Sequence, residues 1–340
     1  MERQFKVMRV EKMSRVPLSI ASMEVEAEEL ARVNAELTDI ECTTEDEIIK
    51  VAKDADALLV VFAPMTRRVL EALPKLKVIV RYGIGYDNVD VDAATDNGVL
   101  LVNIPDFGLE EVSNHTITLL LVFDGKLALL NEGTKQGRWD ETQLVRATAG
   151  APYEQTLGLV GCGKIGRMTA KKAQCFGLKI LSYDPYVDTP LAEEHGIRLV
   201  SLPELLKESD FVSVHTFLTQ ETRHLIGEKE FKRMKSTAYF INTSRGAVVD
   251  EAALIKALQE KWIAGAGLDV FEKEPVNPDN PLLKMDNVIA TPHCCSHTAA
   301  SIKRLKTNVA QETVRVLSGL WPRNVVNKTV KPKVNLVKMG

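Results

Sequence analysis

Long hydrophobic runs are missing from this 340-residue sequence, and no apolar stretch approaches the length that crosses a bilayer, which excludes a transmembrane helix. An excess of either charge is missing too. The 43 Lys+Arg against 46 Asp+Glu leave a net charge of −3, so no overall basic field exists to hold nucleic acid or an anionic lipid surface. Cysteine is scarce. The 5 present (Cys42, Cys162, Cys175, Cys294 and Cys295) are odd in number and lack the paired spacing of a disulfide framework or a zinc site. They read as reduced thiols, and the expected address is the cytoplasm. The opening MERQFKVMRVEKM scatters charge where a signal peptide needs an apolar core, which fits the same expectation. A Walker-type phosphate loop is also lacking, because GCGKIG does not have the required gap before Gly-Lys-Ser/Thr.

Hydrophobic residues at 45% and charged residues at 26% are ordinary globular usage, and the length suits two domains. The first hundred residues alternate FKVMRV, an amphipathic helix in VEAEELARVNAEL, ALLVVF, a short helix over 67–72, KVIVRYG and VLLVNI. Continuous apolar runs separated by helices predict a parallel sheet covered on both faces. A long apolar helix is predicted in HTITLLLVFDGKLALLNEG, and the aperiodic TKQGRWDETQLVRATAGAP after it is expected to form an extended arm or a plain surface loop. A second α/β series then runs through TLGLVG, LKILSYD, DFVSVHTF, TAYFINTS, IAGAGLDVF and NVIATPH. One more helix, AASIKRLKTNVAQETVRVL, leads into a Pro- and Lys-rich tail expected to be partly disordered.

TLGLVGCGKIGR carries Gly161, Gly163 and Gly166 in G-x-G-x-x-G spacing, directly after a strand and opening a helix. Gly161 permits the tight turn, Gly163 lets the backbone approach a pyrophosphate, and Gly166 allows close helix–strand packing. The motif alone is weak, since glycine-rich turns are common. Here the next strand ends on Asp184, eighteen positions beyond Gly166, where an acid accepts ribose hydroxyls and repels a 2′-phosphate. NAD is therefore the expected cofactor, in preference to NADP.

Three later segments fall at the C-terminal ends of predicted strands: NTSRG (242–246), GLDVFEKEP (267–275) and TPH (291–293). Together they offer a cation, a carboxylate and an imidazole. Hydride transfer to a 2-oxo acid needs a cation for the carboxylate and carbonyl, and a group that delivers a proton to the developing alkoxide. Taken singly, Arg245 reads as a surface arginine, Glu274 before Pro275 as a turn, and His293 as a structural hydrogen-bonder. Their order after three successive strands favours chemistry.

With RYGIGYDNVD (81–90), EEVSNHT (110–116), the glycine fingerprint, NTSRGAVVDEAAL (242–254), GLDVFEKEP and NVIATPH in this order, the chain resembles the D-isomer-specific 2-hydroxyacid dehydrogenases. The likeness runs from about Ala57 to Ser301. It implies an α/β chain of two domains, with a Rossmann NAD-binding domain (111–299) inserted into a flavodoxin-like substrate domain (1–110 and 300–330) and a tail over 331–340. It implies that Arg245 binds the substrate carboxylate and carbonyl, that His293 is the acid/base, and that Glu274 orients it and favours its protonated form. Asp269 would contact the nicotinamide carboxamide. The backbone of Gly83, Ile84 and Gly85 would line the substrate carboxylate. Thr116, Lys164, Ile165, His215, Thr243 and Ser244 would lie along the cofactor.

The sequence departs from the family at Phe217 and Gln220, where proline is frequent, at Asn114, where an acid is common, and in CCSHT after His293. The last stretch would border the substrate pocket, so the family's usual substrates do not transfer automatically. Cys294 and Cys295 beside His293 are expected to pack a pocket wall rather than bind metal, and a redox role requires exposure. The expected activity interconverts a 2-oxo acid and a D-2-hydroxy acid with NAD(H), in a homodimer whose partners are small acids rather than nucleic acid or membrane. Two alternatives remain: an NAD-gated interaction protein like the C-terminal-binding corepressors, and a phosphite or 3-phosphoglycerate dehydrogenase on the same scaffold.

Overall fold

The computed structural model describes residues 4–12 and 20–338 and divides into two units, Met1–Gly108 with His297–Gly340, and Leu109–Ser296. In the first unit the chain runs through β1 (Phe5–Glu11), α1 (Glu24–Leu30), β2 (Ala35–Glu41), α2 (Glu45–Ala52), β3 (Ala57–Val60), α3 (Arg67–Glu71), β4 (Val78–Arg81), α4 (Val91–Asp96) and β5 (Leu100–Val102). Its strands pair in parallel in the order β2-β1-β3-β4-β5. This is the flavodoxin-like winding, whose strand order reverses between β1 and β3. Every residue of β3, β4 and β5 is buried, which is why those segments read as unbroken apolar runs.

Side chains set the helix starts. Thr44 and Glu47 form a capping box at α2, and Asp90 caps α4 through the Ala93 N–H. The helix predicted over VEAEELARVNAEL is shorter than its periodicity suggests. It stops at Leu30, passes through one 3-10 turn (Ala31–Val33) and reverses at Asn34, with φ +52, into β2. That edge strand, AELTDIE, is mixed in polarity and half-exposed, so its sequence carries no strand-like run.

The second unit contains α5 (Leu109–Asp124), α6 (Leu127–Lys135), α7 (Trp139–Arg146), β6 (Thr156–Val160), α8 (Lys164–Gln174), β7 (Lys179–Tyr183), α9 (Thr189–Glu194), β8 (Arg198–Leu199), α10 (Leu202–Glu208), β9 (Phe211–Val214), α11 (Glu228–Phe231), β10 (Tyr239–Asn242), α12 (Glu251–Gln259), β11 (Gly265–Leu268) and β12 (Val288–Ala290). The sheet order is β12-β11-β10-β9-β6-β7-β8, the doubly wound Rossmann arrangement with one further strand. Phe211, Phe231 and Phe240 are fully buried in it, each stabilising the fold by about 1.5–3 kcal/mol through burial.

Two expectations are corrected in this unit. The long apolar helix is two helices, because Gly125 is followed by Lys126 at φ +56. Lys126 Nζ donates to the Tyr239 hydroxyl at 2.6 Å and lies over its ring, a long-range contact that fixes the break. The supposed extended arm contains α7. Thr142 of α7 packs where a Cβ on Gly133 of α6 would come within 2.1 Å, so only glycine permits this helical hairpin.

The chain returns to the first unit as α13 (Ala299–Leu317), capped by Thr298 and burying Ile302, Leu305, Val309 and Val316 in the core that holds Val78 and Val80. The tail is not disordered as far as it is described. Lys333 N–H donates to Gly98 O at 3.2 Å, and Val337 exchanges backbone hydrogen bonds with Gly319 and Trp321. Residues 339–340 lie outside the described residues. No described helix is long and apolar enough to cross a membrane.

Candidate functional site

The glycine motif forms the turn between β6 and α8. Gly161 has φ +109, and a Cβ there would lie 2.8 Å from His215 O; one on Gly166 would lie 2.3 Å from Gly161 O. Gly163 is the N-cap of α8, no side chain caps that helix, and nothing lies within 4 Å of where its Cβ would be. Gly163 and Lys164 are exposed and Ile165 half-buried, so the turn presents an open helix N-terminus, which is what a pyrophosphate requires. Asp184 sits past β7, its Oδ2 accepting from Cys162 N–H at 2.8 Å and its Oδ1 from Tyr186 N–H at 2.9 Å. These residues fit a dinucleotide: close backbone approach at the turn, and a carboxylate fixed at the end of the neighbouring strand.

Further along the strand ends, Thr116 and Thr243 are buried with their hydroxyls 3.1 Å apart. His215 is half-buried, 3.0 Å from the Ser213 hydroxyl, and burial pushes its imidazole down to about 4. After β10, Asn242 Oδ1 accepts from the N–H and hydroxyl of Ser244, and its amide donates to Arg245 O. This side-chain-closed turn sets the direction of Arg245, whose Nη1 also donates to Ser244 O at 2.8 Å. On the other side of the turn, Gly246 abuts Phe271, where a Cβ would come within 1.9 Å of backbone.

Glu274 and His293 follow β11 and β12, which are hydrogen-bonded neighbours. The His293 Nδ1–H donates to Glu274 Oε2 at 2.7 Å, while Glu274 Oε1 accepts from Phe271 N–H at 3.0 Å. Both side chains are about one-third exposed, at 30% and 31%. With Nδ1 committed to the carboxylate, Nε2 is the nitrogen left to exchange a proton.

The histidine's backbone is unusual, with φ +50. Such a conformation costs about 1 kcal/mol or more in a residue with a side chain and persists only when its surroundings impose it. Asp269 does so. Its carbonyl accepts from His293 N–H at 2.8 Å, and its carboxylate accepts from the Thr291 hydroxyl at 2.6 Å, Cys294 N–H at 3.0 Å and Cys295 N–H at 2.9 Å. Burial works against the charge of this fully buried group, yet hydrogen bonds from Cys295, Thr291 and Cys294 outweigh it and hold the carboxyl below its usual range. Beside the carboxamide contact implied by the resemblance, the structure thus gives Asp269 an anchoring job.

Thr291, Asn242 and His115, whose Nε2 is 3.1 Å from the Thr291 hydroxyl, were not singled out from the sequence. Thr291 stands inside the TPH segment, so its position was signalled although its partner was not. Burial, and then the Asp269 charge, push the Cys294 thiol up and the Cys295 thiol well above its usual range. Both are held as thiols, which suits packing and not redox reactivity. Among the described residues no three His, Cys, Asp or Glu side chains cluster as metal ligands would.

In the first unit, the turn after β4 has its carbonyls tied inward. Tyr82 O accepts from Arg81 Nη1 at 2.5 Å, Gly83 O from Ile104 N–H at 2.9 Å, and Ile84 O from the Asn103 amide at 2.7 Å. No hydrogen bond from the Ile84 or Gly85 N–H occurs among the described residues. Successive N–H groups of this kind suit a carboxylate. Asn103 was likewise missed in the sequence, where it stands inside the apolar run VLLVNI.

The family model for the NAD-binding domain of D-isomer-specific 2-hydroxyacid dehydrogenases matches residues 117–295. A glyoxylate reductase of Korarchaeum cryptofilum is 43% identical over 83% of this chain and 86% of its own length. The chain belongs to the D-isomer-specific 2-hydroxyacid dehydrogenase family. A D-3-phosphoglycerate dehydrogenase of Methanocaldococcus jannaschii is 40% identical over 92% of the chain, which spans 60% of that longer relative. Among solved structures, D-lactate dehydrogenase from Aquifex aeolicus, complexed with NAD and lactic acid, has a TM-score of 0.81 and 30% identity, covering 94% of this chain and 99% of that one. The chain is accordingly an NAD-dependent oxidoreductase of 2-hydroxy acids on the two-domain α/β scaffold of this family.

Proposed function

We propose that the chain reduces a small 2-oxo acid, of the glyoxylate kind, to its 2-hydroxy acid in the cytoplasm, with His293 as the acid. The observation that carries this reading is the His293–Glu274 hydrogen bond at 2.7 Å in a chain of this family. When bound, NADH supplies the hydride. Arg245 holds the substrate's carboxylate and polarises its carbonyl; in the first unit, the N–H groups of Ile84 and Gly85 suit a carboxylate. As the carbonyl carbon takes the hydride, the oxygen becomes an alkoxide and receives the proton from His293 Nε2. Glu274 stabilises the imidazolium that precedes this transfer. In the oxidation direction the same nitrogen takes the proton back.

The glycine turn, Asp184, Thr116, Lys164, Ile165, His215, Thr243, Ser244 and Asp269 would hold the dinucleotide. We also propose a homodimer, supported by the exposed apolar side chains Leu127, Leu129, Trp139, Leu144 and Tyr153 on and after the α6–α7 hairpin. Light scattering at micromolar concentration is expected to give twice the chain mass.

A panel of 2-oxo acids assayed with NADH and NADPH tests the reading. Robust NADH oxidation with glyoxylate or another small acid is expected. No turnover with any acid would favour a role as an NAD-gated binding protein.

A further inference from the structure

In a sheet wound 2-1-3-4-5, ligands lodge at the C-terminal strand ends where the order reverses, between β1 and β3. Three consecutive backbone N–H groups stand at that point, those of Val61, Phe62 and Ala63 directly after β3. Runs of this kind make concave anion sites, and phosphate is a common occupant. Here the place is already taken. All three N–H groups donate to Oε1 of Glu11, the last residue of β1, at 2.8 Å from Phe62 and 3.0 Å from Ala63. Glu11 is 1% exposed, and its Oε2 is buried without a hydrogen bond.

The neighbouring turn after β4 lies one strand away, registered by the Tyr82 N–H bond to Val60 O at 2.9 Å. That turn keeps the Ile84 and Gly85 N–H groups for a carboxylate. So this edge of the first unit offers one backbone anion site and seals a second with the chain's own negative charge. The side chains following β3 (Val61, Phe62, Ala63, Pro64 and Met65) are apolar and supply no cation. Arg81, the cation nearest in sequence to the carboxylate turn, gives its Nη1 to Tyr82 O, and its charge acts on the Glu11 carboxylate that fills the cradle.

We infer that the substrate is a 2-oxo acid without a phosphate group, and that Glu11 sets this preference by filling the Val61–Ala63 cradle. The inference rests on the reading that Ile84 and Gly85 receive the substrate carboxylate.

Hydroxypyruvate and 3-phosphohydroxypyruvate differ only by the phosphoryl group, so their kcat/KM ratio with NADH is the test. The unphosphorylated acid is expected to be favoured by about 100-fold or more. Glu11→Ala empties the cradle; it is expected to raise kcat/KM for the phosphorylated acid about tenfold, and to make inorganic phosphate a competitive inhibitor. Glu11→Gln keeps an acceptor for the three N–H groups and so preserves the fold. It removes the charge, and a smaller shift of the ratio in the same direction is expected. Equal use of the two acids by the unaltered protein overturns the inference. An unchanged ratio in the folded Glu11→Gln protein overturns the role of Glu11, including the case in which Glu11→Ala does not fold. Failure of both acids, with glyoxylate and pyruvate also inert, overturns the dehydrogenase reading itself; turnover of those small acids beside the phosphorylated one overturns only the inference drawn here.

Discussion

Glu274 and His293 meet at 2.7 Å from loops that follow two paired strands, so the register of β11 and β12 fixes their separation. Glu274 is held in turn by the Phe271 N–H at 3.0 Å. A carboxylate placed in this way orients the ring. Glu274→Gln keeps the shape and loses the charge. It is expected to lower kcat about 100-fold while the Kd for NADH, read by fluorescence, stays within about twofold. A variant with unaltered kcat would show that the carboxylate does not assist the imidazole.

Asp269 anchors the segment that carries His293. Asp269→Ala leaves the N–H groups of Cys294 and Cys295 and the Thr291 hydroxyl without their buried acceptor. At about 1–3 kcal/mol for each unsatisfied group, a loss of about 3 kcal/mol or more is expected in urea unfolding. Thr291→Val is the gentler probe, expected to cost about 1–2 kcal/mol and to lower kcat with little change in the KM for NADH. If kcat is untouched in Thr291→Val, the His293 backbone does not depend on this anchor.

Asp184 stands where the adenosine ribose of the cofactor is expected. Asp184→Asn retains an oxygen for the Cys162 N–H and removes the charge that repels a 2′-phosphate. The ratio of kcat/KM for NADH over NADPH is expected to fall about tenfold or more. An unchanged ratio would place cofactor selection elsewhere.

His215 ties stability to pH. Burial lowers its imidazole to about 4, below the 6.5 of the unfolded chain. The folded protein therefore binds fewer protons between these values, and stability present above pH 6.5 is lost as pH falls toward 4. The shift corresponds to about 3 kcal/mol at most, and about 2 kcal/mol after allowing for the half-exposed residue. Urea unfolding at pH 7 and pH 4.5 measures it. In His215→Gln the difference between the two pH values is expected to shrink by about 1–2 kcal/mol, and an unshrunken difference contradicts the assignment.

What the sequence revealed was what is local. The glycine turn, the acid at the end of the next strand and the three strand-end motifs each announce a backbone or chemical requirement within a few residues. The buried strands of both sheets were equally plain, because full burial demands unbroken apolar runs. Features that depend on distant partners were hidden. The break between α5 and α6 depends on Tyr239, 113 positions from Lys126. The α6–α7 hairpin depends on Gly133 and Thr142 fitting together, which no period in the arm announced. The edge strand β2 is half-wet and mixed in polarity, and so carried no signal. Glu11 gave no hint either, since the N–H groups it serves begin 50 residues later, and only the strand order brings them to its side chain.

The central claim is that His293 passes the proton. The direct measurement compares His293→Gln with the unaltered protein in single-turnover reduction of glyoxylate, with NADH binding followed separately by fluorescence. The account expects hydride transfer to slow by about 1,000-fold or more while the NADH Kd remains within about threefold. Turnover at an unaltered rate, with the substrate reduced and NADH consumed in step, would contradict it.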